Sequence, residues 1–266
     1  MKKKWILALL AMALLAGCAP AQEGSSQPAP TPSEPMDIPG DLPIQVCKVV
    51  DGADTGELVL AGEDAGELYT LTVGDIPVHG TLVDGATVEI VFDGTIMESW
   101  PARLGGVEDI VVTDEPVDDR CGLYLQVLED LWEVDPGLNE DLEELGVDFS
   151  GLTDLSESEK AALTWAFGNA HGLMPITGTW EELVEQGYID GKELYWEKGC
   201  LFSLALDPDT VWNLPDLGEG VEPPVYLAFS AQKWASGLGA YYFGDCVATK
   251  SEDGTWTYTV GSEAIA

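Results

Sequence analysis

Histidine is the residue type that most often moves protons in active sites, and this chain has two, His79 and His171. Neither has a serine or cysteine at the spacing of a known catalytic motif. The patterns GxSxG, HExxH, Walker A and GxGxxG do not occur. We therefore expect no catalytic role for either histidine. His171 is interpreted as a residue at a helix C-terminus, where a positive charge complements the helix dipole.

Carboxylates are abundant, with 48 Asp and Glu residues in a chain of 266. Close pairs of acids arise by chance at this density, so they do not predict the two-carboxylate site of a glycosidase. The EF-hand template for calcium does not occur. Acidic loops at 135–141 and 207–209 carry oxygen ligands, but the same residues are typical of solvated turns. We expect no cofactor, and calcium bound at these loops is the alternative.

Aromatic residues suggest a second kind of site, a pocket that binds its ligand by stacking. Most of the nine tryptophans lie beyond residue 160. The stretch 234–243 mixes small residues with aromatic ones, and its glycines permit a bend or a close approach. Filling of a hydrophobic core is the alternative role for these large side chains. If a pocket is present, we expect its wall to include Trp234, Tyr241, Tyr242 and Phe243.

The N-terminus has the pattern of an export signal. Three lysines follow Met1, and an uncharged apolar run covers 5–16. That run is shorter than the roughly 20 residues that a membrane-spanning helix needs. It ends in Leu-Ala-Gly-Cys at 15–18, which resembles the lipobox of bacterial lipoproteins. The resemblance implies that residues 1–17 are removed and that Cys18 carries the lipid. A signal cut elsewhere, or an uncleaved anchor, is the alternative.

A lipoprotein of this kind is held on the extracytoplasmic face of the cell membrane by lipid and does not span it. Outside the cytosol, cysteines are free to form disulfides. Besides Cys18, the cysteines are Cys47, Cys121, Cys200 and Cys246, and no CxxC pair occurs. Cys200 and Cys246 fall in predicted strands of the same domain and are the candidate disulfide. Buried free thiols are the alternative.

The charge balance is strongly acidic. Eleven Lys and Arg residues face 48 Asp and Glu residues, which gives a net charge of −37. Such a field repels phosphate backbones, so we expect no nucleic-acid partner. It attracts cations and basic partners, and it also favours solubility.

The composition divides the chain into a tether and two folded domains. Residues 18–40 are rich in Pro, Ser and Gln and predict a semi-extended tether. Residues 41–115 consist of short β-branched runs, such as 44–50 and 87–92, separated by Gly and Asp turns. About five or six strands in so short a stretch predict a small OB-like β-barrel.

One segment of this β domain also carries a resemblance. Residues 88–102 read VEIVFDGTIMESWPA. This segment resembles a motif in small β domains of Gram-positive lipoproteins that have two domains and no established activity. The resemblance supports a domain boundary near residue 115 and implies no particular chemistry.

Residues 116–266 predict an α+β domain. Apolar residues recur at helical spacing over 118–132, and capping boxes at Ser156 and Thr179 predict two further helices. Strands are expected at 194–196, 200–206, 225–229, 238–248 and 255–260, with a hairpin turn at Lys198-Gly199. Helices followed by antiparallel strands predict a curved antiparallel sheet wrapped on helices, similar in element order to cystatin-like and NTF2-like rolls.

Taken together, the sequence predicts a membrane-anchored extracytoplasmic lipoprotein that binds a ligand or a protein without catalysing a reaction. One alternative is an extracellular enzyme with an unidentified active site. Another is an accessory or sensor subunit of a membrane complex.

Overall fold

The computed structural model describes residues 42–207 and 226–266. The signal (1–17), Cys18, the tether (18–40) and positions 208 and 209 of the second acidic loop lie outside the described residues. Asp41–Ala266 form one compact unit. The described part is an α+β protein in which strands predominate over three α-helices. The predicted α+β class is therefore confirmed.

The first sheet is built from the N-terminal part of the unit. The strands of this part are β1 (Ile44–Asp51), β2 (Glu57–Gly62), β3 (Leu68–Thr72), β4 (Val78–His79), β5 (Thr87–Val91), β6 (Ile96–Met97), β7 (Arg103–Leu104) and β8 (Asp109–Val112). The sheet has the order β3-β2-β1-β5-β8-β4, and only the β4–β8 pair is parallel. A separate antiparallel hairpin joins β6 to β7.

Burial on both faces of β2 shows how this sheet is covered. Leu58 and Leu60 point into a cluster that the sheet forms with its own loops. Val59 and Ala61, on the opposite face, join a second cluster that is shared with the helices. Because successive side chains of a strand alternate between faces, β2 requires apolar residues at consecutive positions.

The first sheet is open, so the predicted OB-like barrel is wrong. β3 and β4 lie at opposite edges of the sheet. The segment before β7 pairs with β3, since Thr70 N donates to Ala102 O and Ala102 N donates to Leu68 O, both at 3.0 Å. A helix from the C-terminal part covers one face. The sheet therefore buries its surface without closing on itself.

Three helices follow: α1 (Arg120–Glu133), α2 (Glu157–Ala170) and α3 (Trp180–Glu185). The capping boxes predicted at Ser156 and Thr179 are both formed, and they begin α2 and α3. At each, the hydroxyl accepts from the N–H of the third helical residue, whose carboxylate accepts from the cap N–H. Asp119 caps α1 by accepting from Gly122 N at 2.9 Å.

The strands of the second sheet are β9 (Glu144–Gly151), β10 (Pro175–Thr177), β11 (Gly199–Leu206), β12 (Tyr226–Ser236), β13 (Gly239–Lys250), β14 (Trp256–Thr259) and β15 (Ser262–Ile265). They follow the order β10-β9-β11-β12-β13-β14, and β15 also pairs with β13. The pairs β9–β10 and β9–β11 are parallel, and the others are antiparallel.

This sheet is mixed, so the prediction of an antiparallel sheet is wrong at β9. That strand inserts between β10 and β11, both of which lie beyond it in the sequence. The hairpin predicted at Lys198-Gly199 does not form either. Residues 194–196 form only isolated bridges, and the Trp196 side chain packs against Gly146 and Gly199. Both edges of β11 are paired with other strands, β9 and β12, so neither edge is free for a hairpin partner.

The sheets share a hydrophobic core and polar links. Val50 and Val59 of the first sheet lie in one cluster with Tyr124 of α1 and Phe167 of α2. Lys48 Nζ on β1 donates to Glu159 Oε1 on α2 at 2.8 Å. One core therefore crosses the boundary that the sequence places at 115/116, and the division into two domains remains a prediction.

Candidate functional site

A groove with two tryptophans lies between α2 and the β6–β7 hairpin. It consists of adjoining cavities of about 840 Å³ and 430 Å³, and Trp100 and Trp165 line both of them. Trp100 is 60% exposed, and Met174 on the rim of the larger cavity is 62% exposed. Large apolar side chains left in water around a concave surface are typical of a binding site.

The backbone holds both indoles in place. Trp165 lies on α2, whose neighbouring Ala166 and Phe167 are buried in the core. Trp100 precedes Pro101, which is buried, and Ala102, whose N–H and C=O bond to β3. Because Trp100 is only two residues from Ala102, which is paired with β3, its backbone position is restricted.

The end of β9 forms another wall of the larger cavity. β10 ends at Thr177, which is paired with Val147, whereas β9 continues to Gly151. Within the described sheet, this last part of β9 has a strand neighbour only on the β11 side. It contributes Asp148, Phe149 and Ser150 to the lining.

The charges around the larger cavity are mainly negative. Asp148, Glu157 and Glu182 line it, and Lys160 is the one basic residue among its described lining residues. Lys160 Nζ lies 3.0 Å from Glu157 Oε1 and is neutralised by it. The remaining carboxylates favour a neutral or cationic ligand over an anionic one.

The residues that the sequence suggested as a pocket wall lie elsewhere, on β12 and β13, and none of them lines the groove. Phe243 is 4% exposed and belongs to the core. Trp234 packs edge-on against Trp180, with ring centroids 6.2 Å apart. The Tyr241 hydroxyl donates to Glu263, and Tyr242 is half-buried on β13.

Sequence reasoning missed Trp100 and Trp165 as site residues, and of the two only Trp100 carries a signal in the sequence. Trp100 stands between Ser99 and Pro101, and residues of those types favour turns. An aromatic side chain in a turn has little core to enter and remains exposed. Trp165 follows the buried Thr164 on α2 but is itself only half-buried.

Each histidine contacts a carboxylate. His79 Nε2 lies 3.1 Å from Asp109 Oδ1 on the surface of the first sheet. His171 is the C-terminal cap of α2, so it lies at a helix C-terminus as predicted from the sequence. Its ring stacks on Trp132 with a centroid distance of 3.6 Å, and its Nε2 lies 3.1 Å from Glu129 Oε2. Neither histidine lines the groove.

The loop at 135–141, named above as a calcium candidate, and the C-terminal end of α1 before it supply acceptors to the ammonium group of Lys233. Lys233 is fully buried. Its Nζ donates to Asn139 Oδ1 at 2.6 Å, to Asp135 O at 3.2 Å, to Trp132 O at 3.3 Å and to Val134 O. Burial lowers the pKa of Lys233, against the opposing effects of Cys200, Asp135 and Glu133.

The chain thus supplies its own cation to the oxygens of this loop. Over residues 42–207 and 226–266, no group of three or more His, Cys, Asp or Glu side chains is arranged to hold a metal ion.

The cysteines of the described residues, Cys47, Cys121, Cys200 and Cys246, are buried and free. Burial raises the pKa of the Cys47 and Cys200 thiols to about 12 and that of Cys246 to about 11. Phe229 on β12 is level with both Cys246 and Leu206, and Cys200 lies at the other end of β11. Cys200 and Leu206, the residue level with Cys246, are therefore about 20 Å apart along β11. A disulfide needs Cα atoms within about 7 Å, so this register does not allow the Cys200–Cys246 pair.

Comparison with known protein families, with curated proteins and with solved structures finds no match for this chain. Of the helices in the described ranges, none is long and apolar enough to cross a membrane. Inferences about function therefore rest on the groove and on the sequence itself.

Proposed function

We propose that the protein is a binding module whose ligand occupies the groove between α2 and the β6–β7 hairpin. The observation that carries this proposal is the pair of tryptophans, Trp100 and Trp165, lining both cavities of one groove. Indole faces in a concave, partly polar site bind ligands by stacking and by burial of apolar surface. Trp100 is 60% exposed and belongs to none of the hydrophobic clusters of the described residues.

Thermal unfolding of the full-length chain in detergent, with a panel of glycans and peptides, tests this function. A ligand at a hundredfold excess over its Kd stabilises the folded state by about 2.7 kcal/mol. Replacing Trp100 by alanine should weaken binding of that ligand by about 2 kcal/mol, or roughly thirtyfold in Kd. Tyr195→Ala is the matched control, since Tyr195 is 47% exposed and lies outside the groove. Equal losses in both variants would place the ligand elsewhere.

We also propose that the protein is a lipoprotein held on the extracytoplasmic face of the cell membrane through Cys18. The support is the sequence at 15–18, Leu-Ala-Gly-Cys, which follows an apolar run of the right length. Cys18→Ser should abolish labelling with fatty acid and reduce the protein recovered with membranes. Ser25→Ala, within the proposed tether, should change neither. Continued labelling of Cys18→Ser would show that another residue is lipidated.

We infer in addition that α1 and the antiparallel strands of the second sheet form a roll of the cystatin-like or NTF2-like kind. In support, α1 precedes these strands and packs against β12 and β14. The strands from β11 to β14 are consecutive antiparallel neighbours, as in the predicted roll. The parallel strands β9 and β10 are an addition at one edge of that arrangement.

A further inference from the structure

We propose that the occupant of the groove is an extended peptide segment with Lys or Arg side chains, which adds to the free edge of β9. This inference rests on the proposed function, because it assigns a ligand class to the same groove. Three independent features support it: an unpaired strand edge, the charge of the lining and the positions of the two indoles.

The strand edge offers backbone groups to an added strand. Val147 O accepts from Gly178 N at 3.1 Å, so the polar groups of Val147 face the β10 side. Val147 and Phe149 are buried in the same cluster, so the N–H and C=O of Phe149 turn to the same side as those of Val147. The pairing of β9 with β11 has a β-bulge just beyond, between Asp148 and Gly151. The Phe149 C=O accepts from Leu152 N at 3.0 Å, and its second lone pair can accept a further bond. An added strand would therefore pair with β9 where β10 stops.

The length of this edge sets the size of the peptide segment. β9 extends four residues beyond Val147, to Gly151. Because the β-bulge lies within these four residues, the edge is shorter than the roughly 13 Å that four residues of regular strand would span. Main-chain bonds of this kind give affinity, while side-chain pockets give specificity, as in other complexes formed by strand addition.

The charge of the lining selects basic side chains. Asp148 lies on the free edge itself, and Glu182 lies at the start of α3. Of the two basic residues that line the groove, Lys160 is already paired with Glu157, and Arg103 lines the smaller cavity together with Glu57. The net charge of −37 adds a long-range field that attracts cations.

The indoles complete the recognition of a cation. An ammonium or guanidinium group binds most strongly over the face of a tryptophan. Trp165 lies on α2, and Trp100 lies near the β6–β7 hairpin. Both indoles line the larger and the smaller cavity. A neutral peptide would make the same main-chain bonds but would leave the carboxylates without partners.

The test is calorimetric titration of the full-length chain in detergent with synthetic octapeptides. The probes alternate valine with lysine, glutamine or glutamate. We expect the lysine peptide to bind at least about tenfold more tightly than the glutamine peptide, and the glutamate peptide not to bind. A lysine peptide with N-methyl groups along one edge should lose about tenfold or more in affinity, because its backbone nitrogens on that edge cannot donate hydrogen bonds to a strand.

Two substitutions locate the binding site without disturbing local structure. Asp148→Asn keeps an oxygen that can accept from Ser150 N, and Glu182→Gln preserves the capping box at Thr179. Together they should weaken binding of the lysine peptide by about tenfold and leave binding of the glutamine peptide unchanged. Glu252→Gln, an exposed carboxylate outside the groove, is the control and should change neither.

The outcomes separate this inference from the proposed function. Trp100-dependent binding of a neutral oligosaccharide, without binding of the lysine peptide, would overturn the inference and keep the function. Equal binding of the N-methylated peptide, or of spermine, would overturn strand addition. If no probe binds to the protein, both the inference and the proposed function are overturned.

Discussion

Lys233→Met is expected to lower the free energy of unfolding by about 1–3 kcal/mol, the cost of leaving buried acceptors unsatisfied. Methionine keeps most of the length and apolar volume of lysine but removes its donor protons. Four oxygens, from Trp132, Val134, Asp135 and Asn139, would then be left without the ammonium that binds them. Because Lys233 is fully buried, water has no direct path to replace those bonds.

Chemical denaturation of the Lys233→Met variant measures this effect. Lys192→Met is the matched control, since Lys192 is exposed and its substitution should change stability by less than about 0.5 kcal/mol. Similar stabilities for the two variants would mean that the ammonium contributes nothing beyond the volume of its side chain. A loss confined to the Lys233 variant would identify the loop at 135–141 as a structural element closed by an internal cation.

Gly199→Ala is expected to cost about 3 kcal/mol through overpacking. A Cβ atom on Gly199 would lie 1.9 Å from Cε2 of Trp196 and 2.1 Å from its Nε1. Trp196 is 2% exposed, and its Nε1 donates to Glu144 Oε2 at 2.6 Å. The indole must move, which breaks this bond and opens the small cluster formed with Leu183 and Leu201.

The control for this prediction is Gly137→Ala. The nearest heavy atom to a Cβ on Gly137 is 3.8 Å away, an ordinary contact distance. This variant should therefore unfold like the parent chain. A second variant keeps the prediction testable if Gly199→Ala folds poorly. In a Trp196→Leu background the same glycine substitution should cost less, because the clashing ring is absent. Additive losses in the double variant would contradict the clash.

Local patterns in the sequence predict much of the fold. The strand expected at 44–50 corresponds to β1 (Ile44–Asp51), because its side chains alternate between faces and β-branched residues dominate. α2 begins directly after its cap Ser156, as predicted, because the capping hydrogen bonds involve residues only three positions apart. These elements are set by neighbours in the sequence, so a single chain is enough to find them.

The errors concern pairings between distant segments. β9 contains Gly146 and Gly151 and has weak strand propensity, yet it becomes a strand between β10 and β11. The first sheet stays open because α2, far along the chain, covers one of its faces. Neither event leaves a periodic signal in the sequence, and the expected barrel and antiparallel sheet fail for this reason.

The candidate site shows the same limit. Aromatic density correctly points to large side chains in the C-terminal half, but Phe243 fills the core and Tyr241 bonds to Glu263. The groove instead joins Trp100 from the first half to Trp165 from the second. Residue type alone cannot predict that two tryptophans so far apart in sequence share a surface.

Because the residues that line the groove are far apart in the sequence, the groove can form only after a certain length of chain has been synthesised. Its lining begins at Glu57 and ends at Gln186, so it draws on β2, the β6–β7 hairpin, α2, β9 and the start of α3. A nascent chain that stops before α2 has already made Trp100 but has no opposite wall for it. Ligand binding would therefore require synthesis to pass Gln186, and a chain that ends before α2 would be inert rather than partly active.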